Sequence, residues 1–372
     1  MLHPPHLYVH VPFCARRCAY CDFAIAVRSR VPVADYVRGV ERELGIRFAG
    51  AVPWTLETLY LGGGTPSRLG PEGIAAVIEA VRSRARLTPG AEVTLEANPD
   101  DVSDRSVAAW IESGVNRVSL GIQTFSDAAL AWMHRTHDAR AAGAAVATLR
   151  RAGLANYSVD LIFALPDHVP RSWREDLERT VDLGAAHVSL YGLTVEPSTP
   201  LARWVARGVA REAPEERYEA EFMLAHQTMA SAGWEHYEVS NFARPGYHSR
   251  HNSSYWSGRP YAGVGPSAHG FDGQHRRWNT AAYAEWMLRI ERGSDPIDGE
   301  ERLTDANREA ERVYLGLRTS AGLDVSETDL PRVAPWVAAG WAALDGGRLR
   351  LTPAGWLRLD ALASDLTAFR SR

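Results

Sequence analysis

The chain has 372 residues, 45% hydrophobic and 23% charged, with 41 basic against 45 acidic side chains and a formal net charge of −4. That balance belongs to a globular protein with one large and one small domain, and gives no support to bulk nucleic-acid binding. Every basic side chain other than His is Arg, which excludes lysine Schiff-base chemistry, and no apolar run approaches the ~20 residues of a membrane helix.

Met1-Leu-His-Pro-Pro-His lacks the basic start and apolar core of a secretory signal, so a reducing cytoplasm is the expected compartment. Leu7–Val11 reads as a short buried strand feeding Cys14-x3-Cys18-x2-Cys21, which holds every cysteine of the chain. An odd count in a long chain argues against a disulfide framework. A structural zinc site wants four ligands, and only His10 lies close in sequence. Three soft thiolates on one short loop suit an iron–sulfur cube with one iron left without a protein ligand.

Downstream, helical spacing over Val33–Arg47 precedes a predicted strand at Leu56–Leu61, which ends in Gly62-Gly63-Gly64-Thr65-Pro66. A helix over 70–84, a strand at Glu92–Glu96 and a helix over 103–113 with Ser103 as its N-cap come next. Predicted strands at 116–123, 157–163 and 187–194 alternate with helices near 126–133, 138–152 and 171–183. Such alternation means a parallel sheet covered by helices, either doubly wound or a (β/α) barrel. The glycine loop does not match a dinucleotide fingerprint, and the unusual residues sit at strand ends, as in a barrel. After Pro200 the beat stops. A helix over 214–231 and a strand at 235–240 precede a loop-like stretch, 242–280, rich in Gly, Pro, Ser, His and aromatics. Helices over 304–318 and 332–344, a two-strand wing near 346–353 and a helix over 354–366 read as a winged-helix-like α+β tail. Its last helix carries Asp360 and Asp365, so docking onto the barrel is expected rather than DNA binding. The expected divisions are 1–200, 201–300 and 301–372.

Several strand-end residues have chemistry to offer. Gly63, Gly64 and Thr65 leave backbone uncovered for close approach of a ligand. Glu96 suits a cation, Gln123 and Asp160 suit hydroxyls, and Arg135 suits a bidentate carboxylate.

The cysteine spacing resembles the signature of the radical S-adenosylmethionine (SAM) superfamily, in which the open iron of a [4Fe-4S] cluster chelates SAM. Tyr-x-His-x-Pro-Phe-Cys, Gly-Gly-Gly-Thr-Pro, Glu-Ala-Asn-Pro, Gly-Ile-Gln-Thr-Phe and Asp-Leu-Ile occur in order at 8–14, 62–66, 96–99, 121–125 and 160–162. This order resembles the subfamily of oxygen-independent coproporphyrinogen III oxidases and their haem-chaperone relatives. The resemblance implies a partial (β/α)6 barrel with Cys14, Cys18 and Cys21 on the cluster. It implies SAM contacts from Tyr8, Tyr20, Gly63, Gly64, Thr65, Glu96, Gln123, Arg135, Asp160 and Thr194. Ala164 and Asp167 depart from it, standing where the family usually has Gly.

Two features separate the relatives. The oxidases carry a fourth Cys where this chain has Phe23, and His251-Asn252-Ser-Ser-Tyr255-Trp256 is similar to the His-Asn-x-x-Tyr-Trp motif of the chaperones. A neutral imidazole at His251 suits a haem axial ligand, Tyr255 and Trp256 offer flat faces to a porphyrin, and Arg250 and Arg259 could meet propionates. The resemblance thus implies a haem chaperone rather than an enzyme, handing haem to an acceptor haemoprotein such as a membrane respiratory enzyme. It leaves room for a homodimer, with no nucleic acid and no membrane insertion. The alternatives are oxidative decarboxylation of coproporphyrinogen III and another radical SAM reaction.

Overall fold

The computed structural model describes residues 3–48 and 54–371; Met1 and Leu2 of the stretch read for a leader lie outside them. Six parallel strands lie side by side in chain order: β1 (His6–Val11), β2 (Trp54–Gly63), β3 (Ala85–Ala97), β4 (Arg117–Gln123), β5 (Tyr157–Phe163) and β6 (His187–Gly192). Helices Val33–Arg47, Gly70–Arg82, Asp104–Glu112, Ala139–Arg151 and Trp173–Leu183 fill the crossovers. A doubly wound sheet reverses its strand order at a switch point. This one never reverses, so it curls one way as a barrel wall.

The wall extends at both edges with strands from beyond residue 200. Ala262–Val264 pairs in parallel with β1, while Asn241–Ala243 and Glu235–Glu238 add antiparallel strands beyond β6. The result is one sheet of nine strands whose two edge strands do not pair among the described residues, so the barrel is partial. The expected 200/201 division therefore does not coincide with an edge of the sheet.

Alternation of side chains sorts each strand into two faces. Leu7, Val9, Leu59, Leu61, Val93, Leu95, Val118, Leu120, Val159 and Leu161 are buried in the main apolar core with the helices. The intervening positions are polar and bond to one another across the barrel interior. Thr58 bonds His6 Nδ1 at 2.9 Å, Tyr60 donates to Glu96 at 2.8 Å, and Ser119 donates to Asp160 at 2.9 Å. Ser158 and Tyr237 hold the two nitrogens of His187 at 2.8 Å each. Arg117, 1% exposed, supplies positive charge among these groups. A polar barrel interior is costly unless its groups are satisfied by one another or by a ligand.

Three sequence expectations need correction. The 242–280 stretch is not a loop: it holds helix Arg250–Trp256 and strands Ala262–Val264, His269–Phe271 and His275–Asn279. Helix 332–344 stops early, running Leu330–Ala338, because Gly340 takes a left-handed φ of 73°. Ala342–Asp345 then pairs with Arg348–Leu351 across Gly346 and Gly347, both at positive φ, so hairpin pairing overrides the helix-forming Ala and Leu. The final helix is broken at 357–358 into Pro353–Trp356 and Leu359–Arg370.

The C-terminal region docks on the antiparallel end of the sheet. Trp356 Nε1 donates to Leu317 O at 3.0 Å, His236 packs edge-on against Trp356 at 4.4 Å, and Arg318 pairs with buried Glu238 at 2.7 Å. No helix among the described residues is long and apolar enough to cross a membrane.

Candidate functional site: a thiol-lined cavity and its neighbour

The C-terminal ends of the barrel strands and the cysteine loop enclose a cavity of about 440 Å³. Its lining brings together Cys14, Cys18, Cys21, Tyr20, Gly63, Gly64, Thr65, Glu96, Gln123, Arg135, Asp160 and Thr194. All three thiols are free, with Cys14 buried and Cys18 and Cys21 partly exposed. Among the described residues, no group of three or more His, Cys, Asp or Glu is already gathered around a single point. The loop is held by backbone bonds: Ala26 N–H to Pro12 O at 2.7 Å, Arg28 N–H to Cys14 O at 3.0 Å and Ala19 N–H to Met133 O at 3.1 Å.

Geometry revises how several of these residues can act. The glycine-loop donors are already committed: Gly63 N–H to Glu96 at 3.0 Å, Gly64 N–H to Val11 O at 2.8 Å and Thr65 N–H to Phe13 O at 2.9 Å. Those amides are therefore not open to a ligand. Gly64 serves closeness instead, since a Cβ there would lie 2.8 Å from the Pro12 backbone and 3.0 Å from Cys14 Sγ. Arg135 is likewise engaged, donating from Nη1 to Cys18 Sγ at 3.3 Å and from Nη2 to Asn98 at 2.6 Å and Gly121 O at 2.9 Å. The end-on fork is thus partly occupied. Nε, buried and without a partner, and the second hydrogen of Nη1 remain to be satisfied.

Burial pushes the Glu96 carboxyl up to about 7, with Asp160 adding repulsion and Tyr60, Gly63 and Arg117 offsetting part of it. Asp160 is also raised by burial, against hydrogen bonds from serines 119, 158 and 189. Gln123 adopts φ 71° at a register shift between β4 and β5, a conformation a non-glycine residue holds only when its surroundings fix it. Ala164 sits at φ 58°, so glycine is the unstrained choice there, and its N–H is anchored on Glu221 at 2.7 Å. Asn98, Ser119 and Tyr191 also line the cavity and were missed by sequence reasoning. Ser119 and Tyr191 share the inward period of Arg117 and His187, which was the available signal.

Tyr8 lies elsewhere. It lines a second cavity of about 670 Å³ with His10, Tyr255, Trp256, Arg259, Tyr261, His269, Phe271 and Arg276. The two cavities share Asp22, Phe23 and Gly63 in their walls. Helix Arg250–Trp256 is fixed by Ser249, which caps Asn252 N–H, and by Glu92 of β3, which accepts from Arg250 N–H at 3.0 Å and His251 N–H at 2.9 Å. Asn252 lines neither cavity, and Arg250 is spent on Gly90 O.

His251, expected as an axial ligand, is held at both ring nitrogens. It is fully buried, with Nδ1 on Thr58 at 2.7 Å and Nε2 on Tyr255 OH at 2.7 Å, so neither nitrogen is open. Burial lowers its pKa to about 3, which keeps the ring neutral. Replacing His251 by Ala strands both hydroxyls and opens a void; unfolding free energy is expected to fall by about 2–4 kcal/mol, read by denaturant titration.

Residues 8–180, which hold the thiol loop and the glycine turn, match the Radical SAM superfamily model, and residues 303–358 match the HemN C-terminal domain model. The chain is thus a radical SAM protein. Relatives named heme chaperone HemW include that of Synechocystis, 35% identical over 89% of this chain and 82% of its own length. The HemW of Mycobacterium tuberculosis is 34% identical over 98% and 95%. The bovine mitochondrial radical S-adenosyl methionine domain-containing protein 1 is 37% identical over 85% of this chain and 74% of its own. This chain belongs to the heme chaperone HemW family. Its fold is also that of Escherichia coli coproporphyrinogen III oxidase HemN, a radical SAM enzyme, with TM-score 0.83 and 22% identity over 99% of this chain and 91% of that one.

Proposed function

We propose that this protein is a haem chaperone that holds a [4Fe-4S] cluster and SAM in the inner cavity and haem in the outer one, and passes haem to an acceptor haemoprotein. The observation that carries this reading is the adjacency of the two cavities across Phe23 and Gly63. The donor set fits the inner pair of ligands: three free thiols on one loop, an unpartnered Arg135 Nε and a buried carboxyl at Glu96. A cluster on Cys14, Cys18 and Cys21 would supply one open iron to the amine and carboxylate of SAM. Glu96 balances cationic charge, Asp160 accepts from hydroxyls, and Thr194 stands exposed at the cavity mouth.

The outer cavity has the size of a small-molecule site, typically roughly 300–1,000 Å³. Tyr255, Tyr261 and Phe271 give it aromatic walls, with Tyr255 and Tyr261 at 4.6 Å between ring centroids. Arg259 and Arg276 are positioned for carboxylates, though each now pairs with an acidic residue, Glu57 and Glu311 respectively. Phe23, at the position where the oxidases carry a fourth Cys, favours carrying over catalysis.

Anaerobically reconstituted protein tests the reading. Saturable haem uptake without protoporphyrinogen formation from coproporphyrinogen III, SAM and a reductant is expected; turnover of that substrate would overturn it. The raised Glu96 pKa gives a further expectation. Below about pH 7 the carboxyl is protonated in the free site, and a cationic ligand favours its ionised form. SAM affinity should therefore rise with pH through 7, approaching tenfold per unit on the acid side, and this slope should vanish in Glu96→Gln, measured by equilibrium dialysis at pH 6 and 8.

A further inference from the structure

Three histidines bear on the outer cavity, and they differ in what their ring nitrogens are doing. His251 closes the far side of Tyr255 with both nitrogens bonded. His10 lines the cavity, yet its Nδ1 faces Tyr8 OH at 3.2 Å and its Nε2 faces Ala24 O at 3.0 Å. His269 also lines the cavity, is exposed, and makes no ring hydrogen bond among the described residues.

The fold presents His269 rigidly. Its strand, His269–Phe271, pairs with His275–Asn279 so that His269 lies opposite Trp278, on whose ring the imidazole stacks at 6.0 Å and 26°. The strand presses on the barrel edge at Gly263, where a Cβ would fall 2.0 Å from the His269 carbonyl oxygen. Only glycine permits that approach, so the edge strand itself sets the height of the imidazole above the cavity. Partial burial against the fold and the neighbouring Arg276 hold the His269 pKa below the ordinary histidine value, which favours the neutral ring. The competing oxygen donors are poorer. Tyr255 OH is engaged by His251, and burial raises the phenols of Tyr255 and Tyr261 further from ionisation.

We propose that His269, not His251, supplies the axial imidazole to the iron of a haem held in the outer cavity. The inference rests on the haem-chaperone reading. One Fe–N bond forms from a neutral ring lone pair, any water on that iron position leaves, and no electron or proton changes hands. His251 then acts as a positioning residue, orienting Tyr255 through its Nε2.

The test is haem titration of the anaerobically reconstituted full chain, followed by Soret absorption and by electron paramagnetic resonance of the ferric form. Variants His269→Ala, His269→Cys and His251→Ala are compared with wild type. Expected are a histidine-type signature in wild type and its loss in His269→Ala, with affinity falling at least tenfold. Added imidazole should restore the signature in His269→Ala, and His269→Cys should convert it to a thiolate type. His251→Ala should keep the signature despite lower thermal stability. A wild-type protein that takes up no haem would remove the chaperone reading itself. A wild-type histidine signature that survives unchanged in His269→Ala would overturn this assignment alone, as would its loss in His251→Ala with His269 intact.

Discussion

Replacing Cys18 by Ala is expected to leave the anaerobically reconstituted protein without its iron–sulfur chromophore, with iron and sulfide below about a tenth of wild type. The chain has no fourth cysteine to substitute. The fold should survive the change. The loop around Cys18 is held by backbone bonds from Ala19, Ala26 and Arg28 that do not involve the thiol, and the thiol is only partly buried. Arg135 loses one partner on Cys18 and keeps Asn98 and Gly121. Unchanged far-ultraviolet circular dichroism with absent visible absorption is the expected pair of results. A full complement of iron in Cys18→Ala would mean that the thiol triplet is not the ligand set.

Gly63→Ala should have the second-largest effect, because it acts on both cavities at once. Gly63 sits at φ 115°, where an L side chain is strained, and a Cβ would lie 2.7–3.0 Å from the His10 ring. Backbone strain of this kind costs about 1–3 kcal/mol before any clash is counted. The His10 ring holds Ala24 O just beyond the cysteine loop, and Gly63 N–H holds Glu96, so displacement spreads to both. Expected are a stability loss of about 2–4 kcal/mol by denaturant titration and a fall in SAM affinity of more than tenfold. Serine at the same position should be no better, whereas a change to Ala at Gly90, which is in open space, should leave SAM affinity at wild-type level.

Much of the barrel was readable because its strands obey a two-residue period. Leu7, Val9 and Val11 alternate with His6, Tyr8 and His10, and β3 to β6 repeat the scheme with Glu92, Thr94 and Glu96 or Ser158 and Asp160. Sequence reasoning picked out the strand-end members, Glu96, Gln123 and Asp160, and these do converge with the thiols on one cavity. It passed over Glu92, Arg117 and His187 in the same frame, although counting back by twos from the strand ends reaches two of the three strands' buried polar residues.

What was not readable depends on distant partners. Helix Arg250–Trp256 is seven residues long in a Gly- and Ser-rich stretch, too short and too poorly patterned for periodicity to find. It forms because Glu92, 158 residues earlier in sequence, receives its first amides. The engagement of His251 by Thr58 and Tyr255 is likewise a tertiary fact that no local pattern announces. The same holds for the partly occupied guanidinium of Arg135. Sequence reasoning identified suitable residue types at the right places, while their hydrogen-bond partners decided which atoms remain free.

Simultaneous occupancy is the most direct measurement of the two-cavity account. Equilibrium dialysis of cluster-reconstituted protein with labelled SAM, with and without one equivalent of haem, should give one SAM per chain in both conditions and one haem retained alongside it. Stoichiometric displacement of SAM by haem would place both ligands in a single site and contradict the account.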